Sequence, residues 1–364
     1  MNQNLKMNNE KFIGRGAQFN PKNRFEKLNI ESFEDDEFDS FYSENNINRK
    51  IPTQYFKDNS KTVISINDSE DIDFDYSFNP YRGCEHGCIY CYARPSHEFL
   101  GFSSGLDFET KIMVKENAPK LLEKELKKKS YKPDIIIFSG NTDCYQPIES
   151  KLKLTRKALE VCLKYRNPVG LITKNALVLR DLDILREMSK KDLISVTITL
   201  TSLDKFLTSK MEPRTSIPSK RLETILKLAE NSIPVGVNVA PVIPGLNDNE
   251  IPSILKAASE MGAEYAGFIL LRLPYAIKDL FINWLDNEFP LKANKIINRI
   301  KDIRGGKLNN SEFGKRFSGE GEFAETIKKL FVLSCKKYWL NKRDYGLSVE
   351  GFRKKANEQL EMFI

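Results

Sequence analysis

The sequence predicts an α/β fold, a parallel sheet of about six strands with helices outside it. Three observations predict it. Strand-like runs alternate with amphipathic helical stretches about six times across the middle of the chain. Several of the runs are apolar throughout, as in Ile135-Ile136-Ile137-Phe138, which suits a parallel strand covered on both faces. A loop with three of the six cysteines follows the first run directly, at the sheet end where such folds gather ligands. On this reading residues 1–70 are a largely irregular extension, residues 71–275 the α/β core and residues 276–364 a helical extension.

Residues 1–70 show no clear periodicity. Gly14-Arg15-Gly16-Ala17 followed by Asn20-Pro21 reads as loop. The acidic stretch 31–44, with Phe33, Phe38, Phe41 and Tyr42, reads either as a strap over the domain or as a disordered flank. Residues 74–78 alternate apolar and polar and form the first strand. A helix is predicted over 114–129, with Leu121, Leu122 and Leu126 inward and Pro119 in its first turns, where proline is tolerated. Strands follow at 134–140, 169–173, 194–201, 234–242 and 266–273, the fourth marked by its β-branched residues. Helices are predicted between them at 152–166, 177–190, 219–230 and 250–261. Beyond Pro274 the pattern changes to helices at 278–286, 292–304 and 325–338, with a basic tail segment at 347–359. Residues 305–321 are Gly-rich and basic, and Phe313 and Phe317 among those cations suit a phosphate contact or a substrate mouth.

The chain has 364 residues, ample for a core, and an ordinary globular composition of 40% hydrophobic and 29% charged residues. No apolar run is long enough for a membrane helix, and the polar first ten residues lack the apolar segment of a signal peptide. Cys144, Cys162 and Cys335 are scattered, which points to a reducing, cytoplasmic setting. The net charge of +7 is compatible with a nucleic-acid partner but is also that of a solvated charged surface. With only two histidines and no P-loop or dinucleotide fingerprint, histidine acid–base chemistry and nucleotide binding of those kinds find no support.

The cysteine loop runs Asn79-Pro80-Tyr81-Arg82-Gly83-Cys84-Glu85-His86-Gly87-Cys88-Ile89-Tyr90-Cys91-Tyr92. Thiolates in a C-x3-C-x2-C pattern are soft ligands for an iron–sulfur cluster or for zinc. Three thiolates on a [4Fe–4S] cluster leave one iron open to a small molecule. Zinc would instead take His86 or His97 as its fourth ligand. Gly83 and Gly87 let the backbone wrap tightly, and Tyr90 and Tyr92 flank the last cysteine and shield it from water.

The cysteine pattern resembles that of the radical S-adenosylmethionine (SAM) superfamily, including the aromatic Tyr90 before the third cysteine. The resemblance implies a partial (β/α)6 barrel and a [4Fe–4S] cluster on Cys84, Cys88 and Cys91. SAM would chelate the open iron, and its reductive cleavage would give a 5′-deoxyadenosyl radical that takes a hydrogen atom from substrate. It also implies a reductant such as flavodoxin or ferredoxin. Other strand ends then serve SAM. Asn141, Thr142 and Asp143 after the second strand supply acceptors for its amino group. Lys174 after the third meets its carboxylate or ribose. Thr199 on the fourth faces inward with Thr197. Arg214, in Glu212-Pro213-Arg214-Thr215-Ser216, can fork onto a carboxylate. Taken singly, each of these also reads as a turn or cap.

The strand-end motifs further resemble the group related to spore photoproduct lyase, often labelled DNA-repair-photolyase-like. The likeness is closest to an uncharacterised branch that shares Gly14 to Ala17, Tyr145 to Glu149, Leu270 to Pro274 and Arg304 to Leu308. The lyase returns a hydrogen atom through a cysteine whose position here is Asn141. Cys144 follows Asp143 instead and reads as a buried thiol, so dimer reversal by that route is not expected. Tyr92 and Tyr145 are candidate relays or packing residues. No catalytic residue is assigned, and nucleic acid, a peptide and a small metabolite stay open as substrates. The alternative class is a non-catalytic zinc- or iron–sulfur-binding module with a nucleic-acid partner.

Overall fold

The computed structural model describes residues 11–26, 48–72, 74–342 and 346–354. The acidic stretch 31–44, the first ten residues and residues 355–359 of the predicted basic tail lie outside them. Six parallel strands form the core: β1 (Tyr76–Phe78), β2 (Ile136–Phe138), β3 (Val169–Thr173), β4 (Ile194–Thr199), β5 (Val235–Val242) and β6 (Tyr265–Leu270). They stand side by side in chain order, and Ile64–Ile66 adds an antiparallel edge strand to β1. Sequential order means that every crossover steps the same way. The helices therefore lie on one side, and the sheet curls around the other, as in a partial barrel.

The register brings residues of like depth into line. Thr199 of β4 sits opposite Asn238 of β5, and Ile198 opposite Thr173 of β3. Buried Ile, Val and Leu from β2 to β5 pack beneath helices Leu154–Tyr165, Leu182–Ser189, Pro218–Glu230 and Ile251–Glu260 to form the main core. A second core joins Cys88, Ile89 and Tyr90 to Phe281, Trp284, Ile296 and Ile300 on helices Ile277–Glu288 and Pro290–Asp302. The C-terminal helices thus back the cysteine loop rather than forming a body apart from it.

Three expectations need correcting. The helix predicted from residue 114 begins at Ala118, with Pro119 in its first turn, because residues Lys111–Val114 are a strand paired with Gln54–Lys57 and Tyr81–Arg82. Val114, buried with Ile112 on one face of this strand, reads from sequence as the start of the helix. The helix predicted at 177–190 is a 3-10 turn, Ala176–Asp181, followed by Leu182–Ser189. The N-terminal extension is more regular than expected, since it supplies Gln54–Lys57 and Ile64–Ile66 to the two sheets. Gln54–Lys57 is exposed along its whole length, so no burial pattern marked it in the sequence.

Candidate active site

The cysteine loop leaves β1 and is held from several sides. Gly83 and Gly87 have φ of +79° and +67°, the left-handed region that favours glycine. A Cβ on Gly87 would lie 2.7 Å from Glu109 Oε2. Glu109 itself anchors the loop. It pairs with Arg94 at 2.5 Å, both side chains fully buried, and Arg94 Nε donates to Cys88 O at 3.0 Å. The same carboxylate accepts from Gly16 N at 3.0 Å and Ala17 N at 2.8 Å. Gly14 to Ala17 therefore lies across the outside of the loop, where a Cβ on Gly16 would fall 1.9 Å from Gly87 O. Gln146 completes the brace, accepting from Glu85 N and donating to Gly83 O.

All six cysteines are free, and Cys84, Cys88 and Cys91 line one cavity. Burial pushes each of these three thiols above its ordinary pKa, with the neighbouring acids and thiols adding to the rise at Cys84 and Cys88. Binding a soft metal centre would displace their protons to solvent, since the thiolate is the ligand. Three free sulfur donors that line one cavity from a tightly wrapped loop fit, in number and kind, the ligand set of a cluster with one open iron.

The cavity has a volume of about 210 Å³ and opens to solvent. Tyr90, Asn141, Thr142, Asp143, Lys174 and Thr199 all line it. Their roles differ. The Asp143 carboxylate accepts from Thr173 Oγ1, Lys174 N and Tyr145 N at 2.8 to 2.9 Å and lies 3.3 Å from His86 Nδ1. Burial alone would raise its pKa, but the His86 ring and the backbone N–H groups bring it below the ordinary value. Asp143 is thus a tie between the ends of β2 and β3. Thr142 Oγ1 donates to Tyr81 O at 2.8 Å, and Asn79 Oδ1 accepts from the N–H groups of Asn141 and Thr142. Asn141 and Thr199 make no side-chain hydrogen bond among the described residues.

Lys174 Nζ lies 3.2 Å from Glu212 Oε1. Glu212 is fully buried and also holds Arg221, Thr201 and the Tyr90 hydroxyl. Burial would raise its carboxyl, but Arg221 and then Lys174 outweigh this and hold it well below the usual carboxylate range. Arg214 departs from expectation. It does not reach the cavity, and its guanidinium instead meets Glu85 Oε2 and Thr53 Oγ1, each at 3.3 Å. Glu85 lies beside Cys84 and fixes Arg214 on the outer side of the loop. The residue of that motif that does reach a cavity side chain is Glu212, through Lys174.

Neither histidine is placed as a fourth ligand. His86 has Asp143 at one ring nitrogen and Asn175 Nδ2 at the other, both at 3.3 Å. His97 does not line the cavity and packs on Phe102 and Phe108, where burial pushes it down to about 4. Among the described residues no three His, Cys, Asp or Glu side chains form a single-ion site. Cys144 is buried away from the cavity, and Tyr145 gives its hydroxyl to Asp181 at 2.9 Å, a packing role. Tyr92 does line the cavity, half exposed, with its hydroxyl on Gly140 O at 2.7 Å.

The sequence model of the Radical SAM superfamily matches residues 78–258, from the end of β1 through the helix after β5. This chain belongs to the radical SAM superfamily. Its relatives include an uncharacterised protein of Mycobacterium tuberculosis, 31% identical over 234 residues, which are 64% of this chain and 68% of that one. A second, from Methanocaldococcus jannaschii, is 35% identical over 176 residues, 48% of this chain and 63% of that one. Among solved structures, spore photoproduct lyase complexed with dinucleoside spore photoproduct aligns over 80% of both chains, with a TM-score of 0.54 and 16% identity. The radical SAM fold is therefore shared with that lyase. No helix among the described residues is long and apolar enough to cross a membrane.

Several residues of this radical SAM site were not singled out from sequence. Glu109, Arg94 and Arg221 act through partners brought together by the fold, and Gln146, within the Tyr145 to Glu149 stretch, had no role assigned. Asn238 and Arg272 also line the cavity. Both had a signal, a polar residue in or just after an apolar strand near its carboxyl end.

Proposed function

We propose that this chain is a radical SAM enzyme whose Cys84, Cys88 and Cys91 hold a [4Fe–4S] cluster and whose strand-end residues seat SAM beside it. The observation that carries the reading is the convergence of the three free loop cysteines with the ends of β2, β3 and β4 on one cavity. When bound, the cluster supplies the electron that cleaves SAM to methionine and a 5′-deoxyadenosyl radical.

The chain's own residues then have distinct tasks. Asn141 and Thr199 offer unengaged side chains to the SAM amino acid and ribose. Asp143 and Thr142 set the shape of the loop after β2. Lys174 places positive charge at the cavity wall, held there by buried Glu212. Tyr90 and Tyr92 keep water from the third cysteine. Arg214 supports the cysteine loop through Glu85. A reductant of the flavodoxin or ferredoxin kind completes the system.

The dinucleoside ligand of the lyase makes nucleic acid a candidate substrate class for this chain. Asn141 stands where the lyase carries its hydrogen-returning cysteine, so dimer reversal by that route is not proposed. Anaerobic reconstitution with iron and sulfide tests the cluster: about four irons per chain and a brown colour are expected. Addition of SAM to the reduced protein should change the cluster's EPR signal. A colourless protein with one zinc, or a cluster indifferent to SAM, would contradict the reading.

A further inference from the structure

Two sequence stretches, Leu270 to Pro274 and Arg304 to Leu308, take no part in holding the cluster, and they meet at one rim of the cavity. Arg272, the second residue after β6, lines that rim. Its Nε is buried without a hydrogen-bond partner, and the guanidinium has no carboxylate partner among the described residues. It lies over the Phe317 ring at 4.8 Å.

Its neighbours are committed elsewhere. Arg304 donates to Leu270 O and Leu271 O at 3.2 and 2.6 Å, and to Lys315 O and Arg316 O at 2.9 Å each. It thereby staples the chain leading into Arg272 to the loop that carries Phe317. Arg316 is drawn to Asp71 and Ser69. Asp71 is the carboxylate close enough to act on Arg272, and its oxygens already serve Arg316. A half-buried guanidinium with free donors is costly unless something occupies them. Burial, then Arg316, lowers the Arg272 pKa, with Tyr92 and Asp71 pulling the other way. Ile172, Ile269 and Pro241 give the same cavity apolar wall.

We propose that Arg272 anchors an oxyanion, carboxylate or phosphate, carried by a substrate of otherwise apolar character that shares this cavity with SAM. The inference rests on the radical SAM reading for the identity of the other occupant. Arg304 and Phe317, which support Arg272, belong to chain outside the six core strands. The planar fork of arginine matches either oxyanion in two-point fashion.

The test titrates reconstituted, SAM-saturated protein anaerobically by calorimetry, with inorganic pyrophosphate in one arm and glutarate in the other. Saturable binding is expected in at least one arm, and the stronger arm names the oxyanion. Arg272→Met should weaken it roughly tenfold or more, the usual weight of a charged hydrogen bond. Arg272→Lys should recover only part, since it keeps the charge but loses the fork. No saturable binding in either arm, unchanged affinity in Arg272→Met, or an anion that displaces SAM instead of binding beside it would each overturn the proposal. Should Arg272→Met fail to fold, Arg272→Lys carries the comparison, and equal affinity in it overturns the proposal. SAM binding is followed in the same samples by the cluster's EPR signal, so its failure tells against the radical SAM reading and not against Arg272.

Discussion

The two rims of the cavity are built in opposite ways. On the cysteine side the charged groups around the loop are engaged: Arg94 with Glu109, Glu85 with Arg214 and Gln146, Asp143 with His86 and the backbone of β3. On the β6 side the protein holds the backbone around Arg272 with Arg304 and, among the described residues, leaves the Arg272 Nε without a hydrogen-bond partner and the guanidinium without a carboxylate. The difference separates two jobs. A loop that must present three sulfurs to one cluster needs its geometry fixed before the metal arrives. A rim that receives a diffusing ligand needs donors in reserve.

The contrast can be broken from the cysteine side first. Cys84→Ala should abolish cluster assembly, read as loss of iron and of the visible absorbance after reconstitution, because two thiolates do not retain a cubane that three hold. Glu109→Gln comes next. It leaves Arg94 as a buried uncompensated charge and loosens the strap at Gly16 and Ala17. A loss of about 3–5 kcal/mol is expected in denaturant unfolding, together with poorer iron loading. Gly16→Ala should cost about 1–3 kcal/mol, because the added methyl must displace the Gly87 carbonyl or the strap itself.

The smallest effect belongs to the β6 side, at Asp71. Its carboxyl sits below its ordinary 3.8; partial burial pulls upward, and the hydrogen bond and charge of Arg316 outweigh it. A depressed carboxylate stabilises the fold above its unfolded pKa and loses that contribution as pH falls through the folded value. Wild type should therefore exceed Asp71→Asn in melting temperature by roughly a few degrees at most near neutral pH, the scale of a partly exposed pair. The gap should close as the pH drops below about 4. A gap constant across that range would show that Arg316 does not depend on the Asp71 charge.

Much of the fold was legible because hydrophobic period is a local property. The strands at 169–173 and 235–242 and the helix at 218–230 announced themselves through runs that the sheet and its cover then buried. The short strand Lys111–Val114 did not, since four residues with two buried positions fit either period. The cluster ligands were legible because their spacing is chemistry rather than packing. Their supports were not, because Arg94 meets Glu109 across 15 positions and Gln146 meets Glu85 across 61. Arg214 misled for the same reason: a guanidinium beside a carboxylate in sequence suggested a ligand fork, and the fold turned it outward onto Glu85. Arg272 was readable in principle as the one charge in Leu270-Leu271-Arg272-Leu273-Pro274.

The account stands most directly on whether the loaded protein cleaves SAM. Reconstituted wild type, reduced with dithionite and given SAM under anaerobic conditions, should form 5′-deoxyadenosine and methionine in equal amounts, and Cys84→Ala should form neither. A wild-type protein carrying its full complement of iron and sulfide that yields no 5′-deoxyadenosine would contradict it.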